Sequence, residues 1–167
     1  MAAVEAGVTA GPAANGNRRA AIAMDPDEVR QVLDACRTLH VATVEPDGAP
    51  HLVPVYFVVL DDEVTFWTYR TSRKAANLRR DPRLCCMVER GDRSPGRNDL
   101  QAVMVHGVAR MSADPADVER VGIALHDRYM GPVGPAELEG IRANGHKRLV
   151  VSVEAQRVVS WDHAKLG

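Results

Sequence analysis

Thr68-Tyr69-Arg70-Thr71-Ser72-Arg73-Lys74-Ala75-Ala76-Asn77-Leu78-Arg79-Arg80-Asp81-Pro82-Arg83 is the stretch from which this chain can be read. The run from Val64 to Tyr69 is rich in β-branched and aromatic residues and predicts a strand. Ser72 is a helix N-cap, and the helix it starts runs through Arg80 and ends at Asp81-Pro82. A strand end therefore feeds a helix start, where free backbone N–H groups and the helix dipole favour an anion. Thr71 and Ser72 add hydroxyl donors, and Arg73 and Lys74 add full positive charge. On the residues alone two readings stand side by side. One is an anion site; the other is a solvated basic helix whose arginines pair with Asp and Glu elsewhere.

Outward from this stretch the chain is mostly β. Asp25-Pro26-Asp27-Glu28 has the signature of a capped helix start, and Val29, Val32, Leu33 and Cys36 follow at helical spacing. Leu39 to Val44 then reads as a strand, Glu45 to Gly48 as a turn, and Pro50 to Leu60 as one long β run. With Asp61-Asp62-Glu63 as the next turn, these strands and Val64–Tyr69 predict an antiparallel meander. Further strands are expected at Leu84–Glu89, Gln101–Met111, Arg148–Val153 and Arg157–Trp161. A helix is expected from Asp114-Pro115, and a shorter one between Pro135 and Asn144. The loop from Arg90 to Asp99 reads as mobile. The sum is a mainly β domain with added helices, a six- to seven-stranded antiparallel split β-barrel spanning 25–167. Residues 1–24, rich in Ala and Gly, read as a disordered extension, with Met24 a candidate internal start.

Composition narrows the function. Hydrophobic residues make up 46% and charged residues 26% of 167, with a net charge of −1, so no basic excess points to nucleic acid. No apolar run approaches the roughly 18 residues of a membrane span. Three cysteines, Cys36, Cys85 and Cys86, form no disulfide framework and point to a reducing cytoplasm. Cys85 and Cys86 sit in a strand-like run and are expected on opposite faces. The six histidines have no zinc-type spacing, so no metal is expected. Neither a Gly-x-Gly-x-x-Gly cradle nor a P-loop nor a nucleophile elbow is present.

The segment from His40 to Glu89 resembles the pyridoxamine-phosphate-oxidase-like family of flavin-binding split barrels. The resemblance rests on Val41-Ala42-Thr43-Val44, Asp47-Gly48-Ala49-Pro50, Val53-Pro54-Val55-Tyr56-Phe57 and the strand ending at Thr68. It rests above all on the Lys-x-x-Asn-Leu-x-x-Asp-Pro-Arg pattern from Lys74 to Arg83. Val158-Val159-Ser160-Trp161 is similar to an actinobacterial branch that uses the deazaflavin coenzyme F-420.

That resemblance implies a cytoplasmic homodimer with flavin mononucleotide (FMN) or F-420 bound at the interface. Thr68, Ser72, Arg73 and Lys74 would serve the cofactor phosphate, with Asn77 orienting the tail or the lysine. Pro54, Val55 and Tyr56 would lie along the ring system, and Gln101 or Trp161 would complete the pocket from the partner chain. For Tyr56 and Trp161 a packing role stands beside the cofactor role, and His51 reads as a barrel-rim histidine. The activity implied is hydride transfer between the cofactor and a small organic substrate, with no strong side-chain acid or base. The alternative is a non-catalytic carrier or sensor of flavin, F-420 or haem. Enzymes that oxidise pyridoxamine phosphate carry further basic residues near the C-terminus; Ser160-Trp161-Asp162-His163-Ala164-Lys165 has no such cluster. Ser72 also stands where deazaflavin-binding relatives carry a basic residue, which leaves the cofactor undecided between FMN and F-420.

Overall fold

The computed structural model describes residues 16–91, 96 and 98–166. Most of the expected disordered extension, and much of the expected mobile loop, lie outside these residues. Helix α1 (Gly16–Ile22) precedes α2 (Pro26–Ala35), whose capping box joins Asp25 and Glu28 as the sequence predicts. Seven strands follow: β1 (Leu39–Val44), β2 (Pro50–Val55), β3 (Val58–Leu60), β4 (Glu63–Tyr69), β5 (Arg83–Arg90), β6 (Gln101–Ser112) and β7 (Arg148–Asp162). Helix α3 (Arg73–Arg80) lies between β4 and β5, and α4 (Pro115–Tyr129) and α5 (Pro135–Gly145) lie between β6 and β7.

All pairings are antiparallel, in the order β2-β1-β5-β6-β7-β4-β3. β2 and β3 are thus the two edges of one sheet, yet only Tyr56 and Phe57 separate them in the chain. Three Cα–Cα steps reach at most about 11 Å, so the sheet must curl until its edges approach each other. This closure is what makes the sheet a split barrel. It also overturns the expected meander: Pro50 to Leu60 is two strands, one pairing with β1 and the other with β4.

The two expected closing strands are one, β7, which crosses a bulge. Its register with β6 passes from His106↔Arg157 to Gly107↔Ala155, leaving Gln156 as the extra residue. Gly107 is required there, because a Cβ would stand 2.4 Å from the carbonyl oxygen of Glu154.

The core fills the curl. Leu39, Val41, Phe57, Phe66, Val88 and Val151 are almost wholly buried inside it, and α2 closes one end through Val29, Val32 and Leu33. α4 covers the outside of β3, β4 and the start of β7, packing Val118, Val121 and Leu125 on Val58 and Val150. Cys85 and Cys86 do face opposite ways, the first half-buried and the second fully buried. Burial raises the pKa of both thiols.

Candidate functional site

The end of β4 and the start of α3 form the site. Thr68 is the last inward position of β4 and is buried, while Ser72 caps α3 by accepting from the Ala75 N–H. Their hydroxyls are hydrogen-bonded at 3.0 Å, which joins the strand end to the helix cap. Asn77 lies one turn along α3, fully buried, and donates from Nδ2 to Thr43 Oγ1 at 3.1 Å. The same oxygen is 3.4 Å from His51 Nδ1, so a polar chain runs from α3 through β1 to β2.

Positive charge in this segment is almost entirely committed. Arg70 donates to the carbonyls of Arg148 (2.9 Å) and Ala113 (3.1 Å), and Arg79 donates to that of Arg70 (2.9 Å). Arg80 donates to the carbonyl of Val44. Arg73 pairs with Glu45 at 3.3 Å, and Arg83 pairs with Asp81 at 2.6 Å. The Arg83 hydrogen bond holds the Asp81 carboxyl well down, to about 2. Lys74 differs from all of these. It is half-buried and has no ion pair or hydrogen bond to any described residue, and burial alone lowers its pKa. A partly desolvated ammonium with no carboxylate paired to it among the described residues has its charge free to meet an anion. The arginines of the helix are thus paired, as the solvated-helix reading expects, and Lys74 is not.

The remaining expected residues are dispersed. Pro54 and Val55 lie on the edge strand β2, opposite His40 and Leu39. Tyr56 follows them, exposed, with its ring 4.5 Å from that of Tyr129. The Tyr129 hydroxyl accepts from the Phe57 N–H (3.1 Å) and donates to the Phe57 carbonyl (3.0 Å), pinning the link between the sheet edges. Gln101 and Trp161 sit at the far end of β6 and β7. Arg90 donates to Gln101 Oε1, and Gln101 donates to Asp162 at 2.7 Å. From Arg83, beside α3, to Arg90, opposite Gln101, β5 is about 23 Å long, so one chain does not bring these residues to Lys74.

Thr43 was missed as a partner of the site. Its signal was available: in Leu39, Val41, Thr43, the inward positions of β1, a polar residue takes the third core place.

A second feature is the outer face of the sheet. Pro54, His40, Met87, Met104 and Val159 stand opposite one another in a row across β2, β1, β5, β6 and β7. All stay half-exposed or exposed, whereas the adjacent inward row of Val41, Cys86, Val105 and Val158 is buried. Among the described residues no group of three or more His, Cys, Asp or Glu is placed to hold a metal ion, and no helix is long and apolar enough to cross a membrane.

Comparison with known proteins gives a consistent placement. Residues 25–162 match the family profile described as Pyridoxamine 5'-phosphate oxidase. A conserved hypothetical protein of Mycobacterium tuberculosis superposes with a TM-score of 0.83 at 38% identity, over 90% of this chain and 92% of that one. An F420 reductase superposes at 0.59 with 22% identity, over 80% and 98%. The haem storage protein HutZ of Vibrio cholerae does so at 0.65 with 18% identity, over 84% and 97%. The last two likenesses concern the fold. No curated protein matches the sequence.

Proposed function

This chain belongs to the pyridoxamine 5'-phosphate oxidase family, and from that premise we propose that it is a flavin- or F-420-dependent oxidoreductase acting on a small organic substrate. The observation that carries the reading is Lys74, the one cation of the Thr68–Arg83 segment without a partner among the described residues, two positions after the helix cap Ser72, whose hydroxyl bonds that of Thr68. Its ammonium and the first N–H groups of α3 supply the donors that a cofactor phosphate needs. Asn77 holds α3 against β1, so the seat is rigid before the cofactor arrives. When bound, a flavin or deazaflavin supplies hydride transfer; the protein supplies binding and orientation. In this reading the backbone of Pro54 and Val55, on the edge strand, and Tyr56 after them lie along the ring system.

The outer row from Pro54 to Val159 supports a homodimer, because Pro54, Met87, Met104 and Val159 leave a largely apolar row across the sheet half-exposed or exposed in one chain, the kind of surface that pairs. In that assembly Gln101 and Trp161, remote from Lys74 in their own chain, serve the partner's pocket.

The test is direct. Purified protein titrated with FMN and with F-420 should bind one of them in the micromolar range, followed by fluorescence, and binding should fall in Lys74→Ala. Absence of binding to both rejects the reading. Turnover of an acceptor by the reduced cofactor separates an enzyme from a carrier. An intense visible absorption band after haem addition, without flavin binding, would favour the carrier reading that the likeness to a haem storage protein raises.

A further inference from the structure

We propose that Arg148, with Arg70 and Lys147 beside it, forms a second anion-binding site at the outer end of β4 and β7, taking a phosphate or carboxylate group of a small polyanion. The guanidinium of Arg148 is stacked between two rings, 3.9 Å from the centroid of Tyr69 and 4.7 Å from that of Trp67. Its Nη2 donates to the Tyr69 hydroxyl at 3.3 Å, while its Nε is buried with no hydrogen-bond partner. Ring faces attract a cation but do not neutralise it, and a partly buried charge without a counter-charge is costly.

The surroundings add charge rather than remove it. Arg70 spends its donors on the carbonyls of Arg148 and Ala113, and Arg79 spends Nη1 on the carbonyl of Arg70. Lys147, whose carbonyl accepts from the Arg70 N–H, is exposed and has no ion pair with a described residue. Two acids of the following turn and helix have other partners: Asp114 accepts from the Ala116 N–H, and Asp117 accepts from Ser112. Other arginines of the surface do meet carboxylates. Arg30, Arg110, Arg120 and Arg142 each pair with a carboxylate, on Asp34, Glu63, Asp61 and Glu119.

The site is also open and oriented. Tyr69 is 51% exposed, and the two rings hold the Arg148 guanidinium plane fixed. A fixed planar fork suits two oxygens of one phosphate or carboxylate. It is distinct from the Lys74 seat, because Thr68 and Tyr69 are successive strand positions and point to opposite faces of β4. The anion has two possible sources with the same chemistry: the far end of a long cofactor, or a separate small polyanion.

Trp67 gives the site its own readout. In a Trp161→Phe background, inorganic pyrophosphate should change tryptophan emission saturably, and added salt should weaken the effect. Arg148→Met should raise the half-saturation concentration at least about tenfold. Lys147→Ala, a surface change that should leave the melting temperature alone, should raise it about threefold. Lys74→Ala should leave it unchanged, which keeps this result independent of the phosphate seat. The proposal is overturned by the lack of a saturable change up to about 10 mM, or by equal midpoints in the parent, Arg148→Met and Lys147→Ala. FMN, FAD and F-420 titrations then assign the source. If Arg148→Met weakens FAD or F-420 but not FMN, the site holds the far end of the cofactor; if it weakens none, pyrophosphate reports a separate ligand.

Discussion

Asn77 and Thr43 are hydrogen-bonded side chain to side chain at 3.1 Å, with only 1% and 2% of their surfaces exposed, and this bond ties α3 to β1. Removing either partner strands the other without water. Asn77→Ala and Thr43→Val should each destabilise the protein by about 1–3 kcal/mol. The double variant Asn77→Leu/Thr43→Val removes both polar groups and should lose less than the sum of the single changes. Chemical denaturation of the four proteins checks this, and additive losses would show that the two side chains do not act as a pair.

Lys74 should make cofactor binding depend on pH with a defined sign. Burial disfavours its ammonium, so its folded pKa lies below the unfolded one. Between the two values the unfolded chain binds more protons, and this group makes stability rise with pH across that alkaline window. A phosphate reverses the preference by stabilising the ammonium. Affinity should therefore be level near neutral pH and fall as pH rises through the Lys74 pKa of the free protein. Lys74→Arg should carry binding to higher pH, and Lys74→Ala should lose about tenfold or more at neutral pH without a drop in melting temperature. Fluorescence titrations across pH decide it; an alkaline fall that persists in Lys74→Arg would assign the titration to another group.

What could be read beforehand was what depends on neighbours in the chain. The Asp25 and Ser72 caps, the β4–α3 junction and the basic helix are local patterns, and all are present. The break at Tyr56-Phe57 was not legible, because apolar alternation runs straight through it; only the pairing of β2 with β1 and of β3 with β4 separates the two. Pro54 was the local hint, since proline within a strand run marks an edge. Splitting β7 at Glu154-Ala155-Gln156 was the same error in reverse, a polar bulge read as a gap. At the site, a cap plus Arg73 and Lys74 announced positive charge, but not which cation was spoken for. That depends on Glu45 and on carbonyls of Val44, Ala113 and Arg148, which only folding brings near.

Two glycines should respond to alanine in opposite directions. A Cβ on Gly122 would stand 2.7 Å from Ile141 Cγ2 and 2.9 Å from Trp67 Cζ3, where α4 crosses α5 and β4. Overpacking of this kind costs about 1–3 kcal/mol, more than the gain in helix propensity of about 1 kcal/mol. Gly140, on α5, has nothing within 4 Å of its Cβ position, so there only the propensity gain remains. Gly122→Ala should lower the melting temperature and Gly140→Ala should raise it, both by a few degrees. Equal shifts in the two variants would contradict the crowding at Gly122.

Met104 tests the homodimer. It lies in the middle of the outer row, opposite Met87 on one side and Val159 on the other, and points away from the chain's own core. Met104→Glu places a carboxylate on a face that is already half-exposed in one chain, so the folded monomer should lose little stability. In a two-fold pair the same residue meets the partner's copy of this face, where an unpaired buried charge is costly by several kcal/mol. Sedimentation should show a dimer for the parent and a monomer for Met104→Glu, with far-ultraviolet circular dichroism unchanged. In the proposed dimer Gln101 and Trp161 serve the partner's pocket, so the monomeric variant should also bind cofactor more weakly while keeping Lys74. A variant that becomes monomeric yet binds as tightly as the parent would place the whole pocket within one chain.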